Sequence, residues 1–169
     1  MISRQRFDRL IFIHGLHSSG QGFKATLLRG LFPNILTPDF PGSLEERMAS
    51  LTSILGNTTG WTIIGSSFGG LMGALFTCQQ PQQVKKLILL APALAWHASR
   101  EMQPPALPGP VSVPVVVYHG RRDEVIPLEP VRSVSEQTFT KLTFHVVDDD
   151  HRLRQTVQMI DWRKLISQA

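Results

Sequence analysis

One serine of this chain lies in a sequence context that favours nucleophilic chemistry. The segment Gly65-Ser66-Ser67-Phe68-Gly69 has the form G-x-S-x-G, and only Ser67 has a glycine two residues away on each side. An apolar run precedes the segment and a helix-like run follows it, the strand–turn–helix setting that exposes a nucleophilic serine. Ser66 is a competing hydroxyl without that spacing. The pattern therefore predicts Ser67 as the nucleophile of an acyl-transfer reaction.

The spacing of this motif has a steric reason. A side chain at either flanking glycine would crowd the neighbouring strand or helix, because the nucleophile stands on a tight and strained turn. The turn would lift the Ser67 oxygen above the edge of a sheet, where a substrate carbonyl can reach it. It would also place the backbone N–H of Phe68 at a helix N-terminus, where a developing oxyanion is stabilised. We therefore predict the Phe68 N–H as an oxyanion donor.

The elements that would position this serine alternate regularly along the chain. Several predicted strands are almost continuously apolar, which suits a parallel sheet covered on both faces. We predict an α/β fold with a doubly wound, mostly parallel sheet of about six strands, as one domain over residues 1–169. The predicted strands are residues 10–14, 34–37, 61–64, 86–90, 113–118 and 142–147. The predicted helices are 21–31, 44–55, 68–79, 128–137 and 153–167, the second opened by a capping box of Ser43 and Glu46.

Composition excludes several other classes of protein. The net charge is +4, from 17 Lys and Arg against 13 Asp and Glu, and the basic residues are scattered rather than gathered in a nucleic-acid-binding block. The single cysteine, Cys78, cannot form an internal disulfide, and no paired Cys/His spacing indicates a zinc site. The first apolar run is too short for a signal peptide or a membrane span, so we expect a cytoplasmic protein.

Four short segments follow predicted strands in a fixed order. They are His14-Gly15, the serine motif, the segment from His119 to Pro127 with the form His-Gly-x-x-Asp-x-x-x-Pro, and the loop that ends in His151. Together they resemble the α/β-hydrolase superfamily, and most closely its small lidless bacterial esterases, the YqiA-like group. The resemblance runs from residue 10 to the final helix. It implies a minimal α/β-hydrolase fold without a full cap domain.

The resemblance also implies roles for individual residues. The family's second oxyanion donor follows the His-Gly pair, which corresponds to the backbone N–H of Leu16. The acid of the triad corresponds to Asp123, with Glu124 as the local competitor. The base corresponds to His151, on a loop after the last strand, and His145 within that strand is the weaker choice. The chain order of nucleophile, acid and base agrees with this family.

Two features depart from the family pattern. Three consecutive acids, Asp148-Asp149-Asp150, replace the glycine-rich approach to His151. They would add negative charge beside the base, and Asp150 could compete to orient its ring. The stretch 92–112 has 21 residues, enough for a crossover with a short helix around 94–100 but not for a full cap. Substrate preferences of capped relatives therefore do not transfer.

These residues predict a serine esterase that cleaves a carboxylic ester of short to medium acyl chain through an acyl-enzyme on Ser67. A thioesterase or a cofactor-free peroxidase or lyase on the same triad is an alternative, as is a non-catalytic binding protein that retains the fold. Trp96 and His17 are predicted substrate contacts. The triad requires no metal or organic cofactor, and the expected partner is a small ester or thioester, not nucleic acid or a membrane.

Overall fold

A five-stranded parallel sheet forms the centre of the molecule. The computed structural model describes residues 8–95 and 104–168. The strands follow one another in space as they do in sequence, β1-β2-β3-β4-β5, and every neighbouring pair is parallel. Their bounds are β1 Leu10–Ile13, β2 Trp61–Ser66, β3 Val84–Leu90, β4 Val111–Gly120 and β5 Phe139–Val147. The prediction of an α/β fold with a parallel sheet is confirmed.

The predicted strand at residues 34–37 is reduced to a single bridge at the edge of the sheet. Leu36 pairs with Ile11, its N–H donates to the Leu10 carbonyl (2.9 Å), and its carbonyl accepts from the Phe12 N–H (2.8 Å). Proline lacks an N–H donor, and Pro33 and Pro38 bracket the segment. Pairing therefore does not extend beyond one residue, and the described sheet has five strands rather than about six.

The described residues include six α-helices, four between strands and two after β5. They are α1 Phe23–Leu31, α2 Leu44–Leu55, α3 Phe68–Gln79, α4 Leu128–Thr138, α5 Arg154–Met159 and α6 Trp162–Ser167. The predicted capping box opens α2, since the Ser43 N–H donates to Glu46 Oε2 (2.7 Å) and the Glu46 N–H to Ser43 Oγ (3.3 Å). The short helix predicted around 94–100 lies largely outside the described residues.

The closing helix predicted at residues 153–167 is two helices in the structure. Ile160 is extended between α5 and α6, and the Asp161 carboxylate caps the second helix by accepting from the Lys164 N–H (3.1 Å). The Trp162 indole N–H donates to the Val157 carbonyl (2.8 Å) and ties the two helices together. An internal N-cap thus interrupts a segment whose apolar spacing alone suggested one helix.

The sheet is covered on both faces, and each face has its own hydrophobic core. Successive strand residues point to opposite faces, so Ile11 packs in one core and Phe12 in the other. Helices α2, α3 and α4 cover the first face, and α1, α5 and α6 cover the second. Because the strands are parallel, all their carboxyl ends lie at one edge of this sandwich. Among the described residues, no helix is both long and apolar enough to cross a membrane.

Candidate active site

Ser67 occupies the sharp turn between β2 and α3. Its backbone has φ 54° and ψ −116°, a left-handed conformation that costs energy for any residue other than glycine. Surrounding hydrogen bonds hold this conformation. The Ser67 N–H donates to the Leu90 carbonyl (2.9 Å), and the Ser67 carbonyl accepts from the N–H groups of Gly70 (2.9 Å) and Ala93 (3.0 Å). Hydrogen bonds to the end of β3 and to the loop after it therefore fix the backbone of Ser67.

The two glycines of the motif fill positions where no Cβ fits. A Cβ at Gly65 would lie 2.5 Å from the Gly69 carbonyl oxygen, and a Cβ at Gly69 would overlap the Ile13 carbonyl oxygen at the end of β1. Both obstacles are backbone atoms, which cannot move aside as a flexible side chain can. The G-x-S-x-G spacing thus lets α3 start directly against the carboxyl ends of β1 and β2.

The structure brings Ser67, Asp123 and His151 together as one hydrogen-bonded series. Nε2 of His151 lies 3.0 Å from Ser67 Oγ, and Nδ1 of the same ring lies 2.8 Å from Asp123 Oδ2. These residues come from the turn after β2, the loop after β4 and the loop after β5. The parallel sheet places three distant segments of the chain at one edge.

The Asp123 carboxylate is fully buried and nonetheless held in its ionised form. Burial by itself would raise its pKa, but the hydrogen bonds from His151 and from two backbone N–H groups outweigh burial and lower the pKa. The donors are the N–H groups of Ile126 (2.8 Å) and Val125 (2.9 Å), both to Oδ1. Glu124, the local competitor, is exposed and has no part in this series.

His119 supports this acid loop, a role that the sequence analysis did not assign. Its ring is completely buried, and its Nε2 lies 3.0 Å from the Ile126 carbonyl and 3.4 Å from Asp123 Oδ2. Since a carbonyl only accepts, Nε2 carries the proton and Nδ1 has no partner in the described structure. Burial lowers the pKa of His119, which favours this neutral ring. The His-Gly pair at the end of β4 was the available signal.

A second buried histidine shapes the loop after β1. Nε2 of His14 accepts from the Phe40 N–H (3.0 Å), so Nδ1 carries the proton and donates to the Gly15 carbonyl (2.7 Å). Gly15 packs beside Ser67, and a Cβ added to it would lie 3.4 Å from the Ser67 Cβ. Leu16 and Phe68, the predicted oxyanion residues, both line the cavity at Ser67. Phe68 is also the first residue of α3, where a helix N–H has no acceptor within the helix.

An open cavity of about 610 Å³ lies above these residues. Its apolar wall includes Phe12, Phe23 and Val125, while Lys24, Arg152 and Arg154 bring positive charge. His17 lines the same cavity, whereas Trp96, the other predicted substrate contact, lies outside the described residues. The volume is in the range of small-molecule sites.

Each acid of the run before His151 contacts a group other than the imidazole ring. Asp148 pairs with Arg122 at 3.2 Å, and the buried Asp149 accepts from the N–H groups at the start of α5. Asp150 accepts from the Arg152 N–H (2.8 Å). The expectation that Asp150 competes to orient the ring is wrong, because each carboxylate has another donor. His145, the alternative base, stacks on Tyr118 in β4 and lies away from Ser67.

The sequence profile of the alpha/beta hydrolase fold matches residues 8–113, more than half of the chain. This chain belongs to the α/β-hydrolase family. The match includes the turn after β1 and the Ser67 motif and ends within β4, before the acid and base loops. No curated protein matches this α/β-hydrolase chain.

Solved structures of other α/β-hydrolases superpose over most of the chain. Alpha/beta hydrolase domain-containing protein 10 from mouse has 18% identity and a TM-score of 0.74, covering 95% of this chain and 87% of its own. A Xanthomonas campestris protein described as a hydrolase of the α/β superfamily has 25% identity and a TM-score of 0.71, covering 89% and 90%. Est1E from Butyrivibrio proteoclasticus, solved with ferulic acid, has 16% identity and a TM-score of 0.71, covering 92% and 87%. These similarities concern the fold.

Proposed function

We propose that this α/β-hydrolase is a serine esterase that hydrolyses carboxylic esters through an acyl-enzyme on Ser67. The observation that carries the proposal is the hydrogen-bonded series from the Asp123 carboxylate through His151 to the Ser67 hydroxyl. An ionised carboxylate only accepts hydrogen bonds, so Asp123 holds the proton on Nδ1 of His151 and leaves Nε2 free to accept one. Activation of a serine hydroxyl requires this arrangement, in which the hydroxyl donates to the imidazole and the imidazole donates to the carboxylate.

The first half of the reaction transfers the acyl group to the enzyme. Ser67 Oγ attacks the ester carbonyl carbon while its proton passes to Nε2 of His151, and the buried Asp123 carboxylate stabilises the resulting imidazolium. The carbonyl oxygen gains the negative charge, and the backbone N–H groups of Leu16 and Phe68 bind it. Collapse of this tetrahedral intermediate breaks the ester bond, and His151 returns the proton to the departing alkoxide.

The second half hydrolyses the acyl-enzyme by the same groups. Water gives its proton to Nε2 of His151 and attacks the acyl carbon, and the oxyanion forms again at the N–H groups of Leu16 and Phe68. The intermediate then releases the acid, and the proton on His151 returns to Ser67 Oγ. The His151 side chain carries every proton transfer, and the backbone N–H groups only bind the oxyanion. The strained Ser67 turn keeps the oxygen in one position through both halves.

The test of this proposal compares two neighbouring serines. Ser67→Ala should lower kcat/KM for p-nitrophenyl butyrate by about 10⁴-fold or more and abolish labelling by a fluorophosphonate probe. Ser66→Ala is the matched control, because Ser66 is buried at the end of β2 and forms no part of the series. Activity lost in Ser66→Ala but kept in Ser67→Ala would refute the assignment, and so would a parent protein that the probe does not label.

A further inference from the structure

The cavity at Ser67 has a strongly cationic wall. Lys24 on α1, Arg152 in the loop before α5 and Arg154 at the start of α5 all line it, and no described lining residue is acidic. Within residues 8–95 and 104–168, the ion pairs at 4.0 Å or less involve other residues, so none of these three cations has a carboxylate partner. Cations that lack partners in a partly enclosed site favour binding of an anion.

The nearby carboxylates are already engaged elsewhere. Asp149 accepts from the N–H groups of Gln155 (3.1 Å) and Thr156 (2.9 Å), and Asp150 accepts from the Arg152 N–H (2.8 Å). These two acids partly offset the positive charge at a distance but do not contact the Lys24 ammonium. The positive groups on the cavity wall therefore remain available to an incoming ligand.

One of the three cationic groups also contacts an aromatic ring. The Arg154 guanidinium lies over the Phe23 ring, 5.2 Å from its centre, which orients it beside the cavity. Burial, and then the charge of Arg154, lowers the pKa of Lys24 to about 8, whereas Asp149 and Asp150 act weakly in the opposite direction. A bound anion would offset this effect and raise the pKa of Lys24.

We propose that the natural ester carries an anionic oxygen group, a carboxylate or a phosphate, which Lys24 and Arg154 bind while the ester carbonyl lies at Ser67. This inference deepens the proposed function and rests on it. Arg152 lines the same wall, and its positive charge also attracts an anion. The apolar residues Phe23 and Val125 then border the rest of the substrate rather than selecting a wholly apolar acyl chain.

The closing experiment compares two esters that differ by one methyl group, which masks the carboxylate charge. For each enzyme, the ratio of kcat/KM for 4-nitrophenyl hydrogen succinate to that for 4-nitrophenyl methyl succinate measures the preference for the anion. We expect a ratio of about ten or more in the parent, falling about tenfold in Lys24→Met and in Arg154→Met, since each variant removes one attracting charge. Lys85→Met is the matched control, because Lys85 is exposed near the start of β3, at the opposite edge of the sheet.

A second arm identifies the anionic group. Succinate and phenyl phosphate are tested as competitive inhibitors of the hydrolysis of 4-nitrophenyl methyl succinate. Inhibition by either anion that becomes weaker in Lys24→Met supports the proposal. A parent ratio near one, or a ratio unchanged in both Lys24→Met and Arg154→Met, overturns the proposal of an anionic substrate. If hydrolysis still depends on Ser67 in that case, the proposed esterase function stands. Absence of hydrolysis of either ester, together with absence of fluorophosphonate labelling, contradicts the proposed function itself.

Discussion

His151 lies between two oxygen atoms that impose opposite requirements on its ring nitrogens. Asp123 Oδ2 accepts from Nδ1 at 2.8 Å, and Ser67 Oγ–H donates to Nε2 at 3.0 Å. Only the ring with its proton on Nδ1 satisfies both. Because hydrogen bonds keep the pKa of the buried Asp123 below its ordinary value, its carboxylate is ionised at neutral pH. Asp123 therefore sets the tautomer of His151 from the side of the ring opposite Ser67 Oγ.

Asp123→Asn tests this control of the tautomer. The asparagine oxygen can still accept from the Val125 and Ile126 N–H groups, but its amide N–H₂ then faces Nδ1 and favours a proton on Nε2. A ring protonated on Nε2 cannot accept the Ser67 proton, so we expect kcat to fall by about 10⁴-fold with the fold intact. Ester hydrolysis and circular dichroism measure the two effects.

Glu124→Gln provides the control for that variant. Glu124 is adjacent in sequence and exposed, so its loss should leave kcat within about twofold of the parent, as for surface substitutions away from a site. If Glu124→Gln were the inactive variant and Asp123→Asn retained activity, the acid would be misassigned.

At the scale of an element, the loop that carries His151 is secured by its acidic residues. Asp149 is buried, and its Oδ2 accepts from the N–H groups of Gln155 and Thr156 and from the Thr156 hydroxyl (2.9 Å), while Oδ1 accepts from the Asp150 N–H. The carboxylate thus caps the first turn of α5 and closes the loop just before the histidine. Burial would raise the pKa of Asp149, but these hydrogen bonds outweigh it and lower the pKa.

We expect Asp149→Asn to lower the free energy of unfolding by about 1–3 kcal/mol at neutral pH, the usual cost of removing a charged hydrogen-bond acceptor. A carboxylate whose folded pKa is depressed contributes stability above its ordinary pKa of 3.8, and this contribution disappears as the pH falls through the folded value. The difference between parent and variant should therefore shrink below pH 3.8. Urea unfolding over a pH series measures it.

Asp148→Asn is the matched control for the cap. Asp148 and its partner Arg122 are both exposed, and an exposed ion pair contributes less than about 1 kcal/mol. A loss for Asp148→Asn as large as that for Asp149→Asn would contradict the capping role, as would a difference between parent and Asp149→Asn that does not depend on pH.

At the scale of the whole molecule, the connection between β3 and β4 is short. The connection from β3 to β4 spans only residues 91–110, too few to fold as a separate cap domain. The cavity of about 610 Å³ at the carboxyl ends of the strands is bordered by the loops after all five strands, with Ala93 contributed by the loop after β3. Among the described residues, these loops and α1 are therefore the segments that we expect to contact a substrate.

We expect kcat/KM for p-nitrophenyl esters to peak at an acyl chain of about eight carbons or fewer, because a site of this volume encloses only a small ligand. No activation at a lipid interface is expected, since no cap domain has to move aside. Rates on esters of increasing chain length, below and above their critical micelle concentration, test both points. Preference for long-chain triglyceride emulsions would disprove them.

Local sequence patterns were sufficient to predict most of the elements. Apolar runs predicted all five strands of the sheet, and the capping box predicted the start of α2 at Leu44. They failed where a neighbouring residue overrides the pattern. Two prolines limit the segment around Leu36 to a single bridge, and Asp161 splits the closing helix. Hydrophobic periodicity reports burial and contains no information on such interruptions.

The sequence by itself determined which side chains stand at strand ends, and the parallel sheet then gathers Ser67, Asp123 and His151. Only the tertiary structure decided the partners of the remaining polar groups. The acids before His151 are near it in sequence, but the start of α5 and Arg122 provide stronger contacts than the ring. Lys24 likewise acquires its charged surroundings, Arg154 and Asp149 among them, from residues distant in sequence. Hydrogen bonds and burial depend on distances in space. A sequence motif fixes those distances only between the residues that belong to the motif.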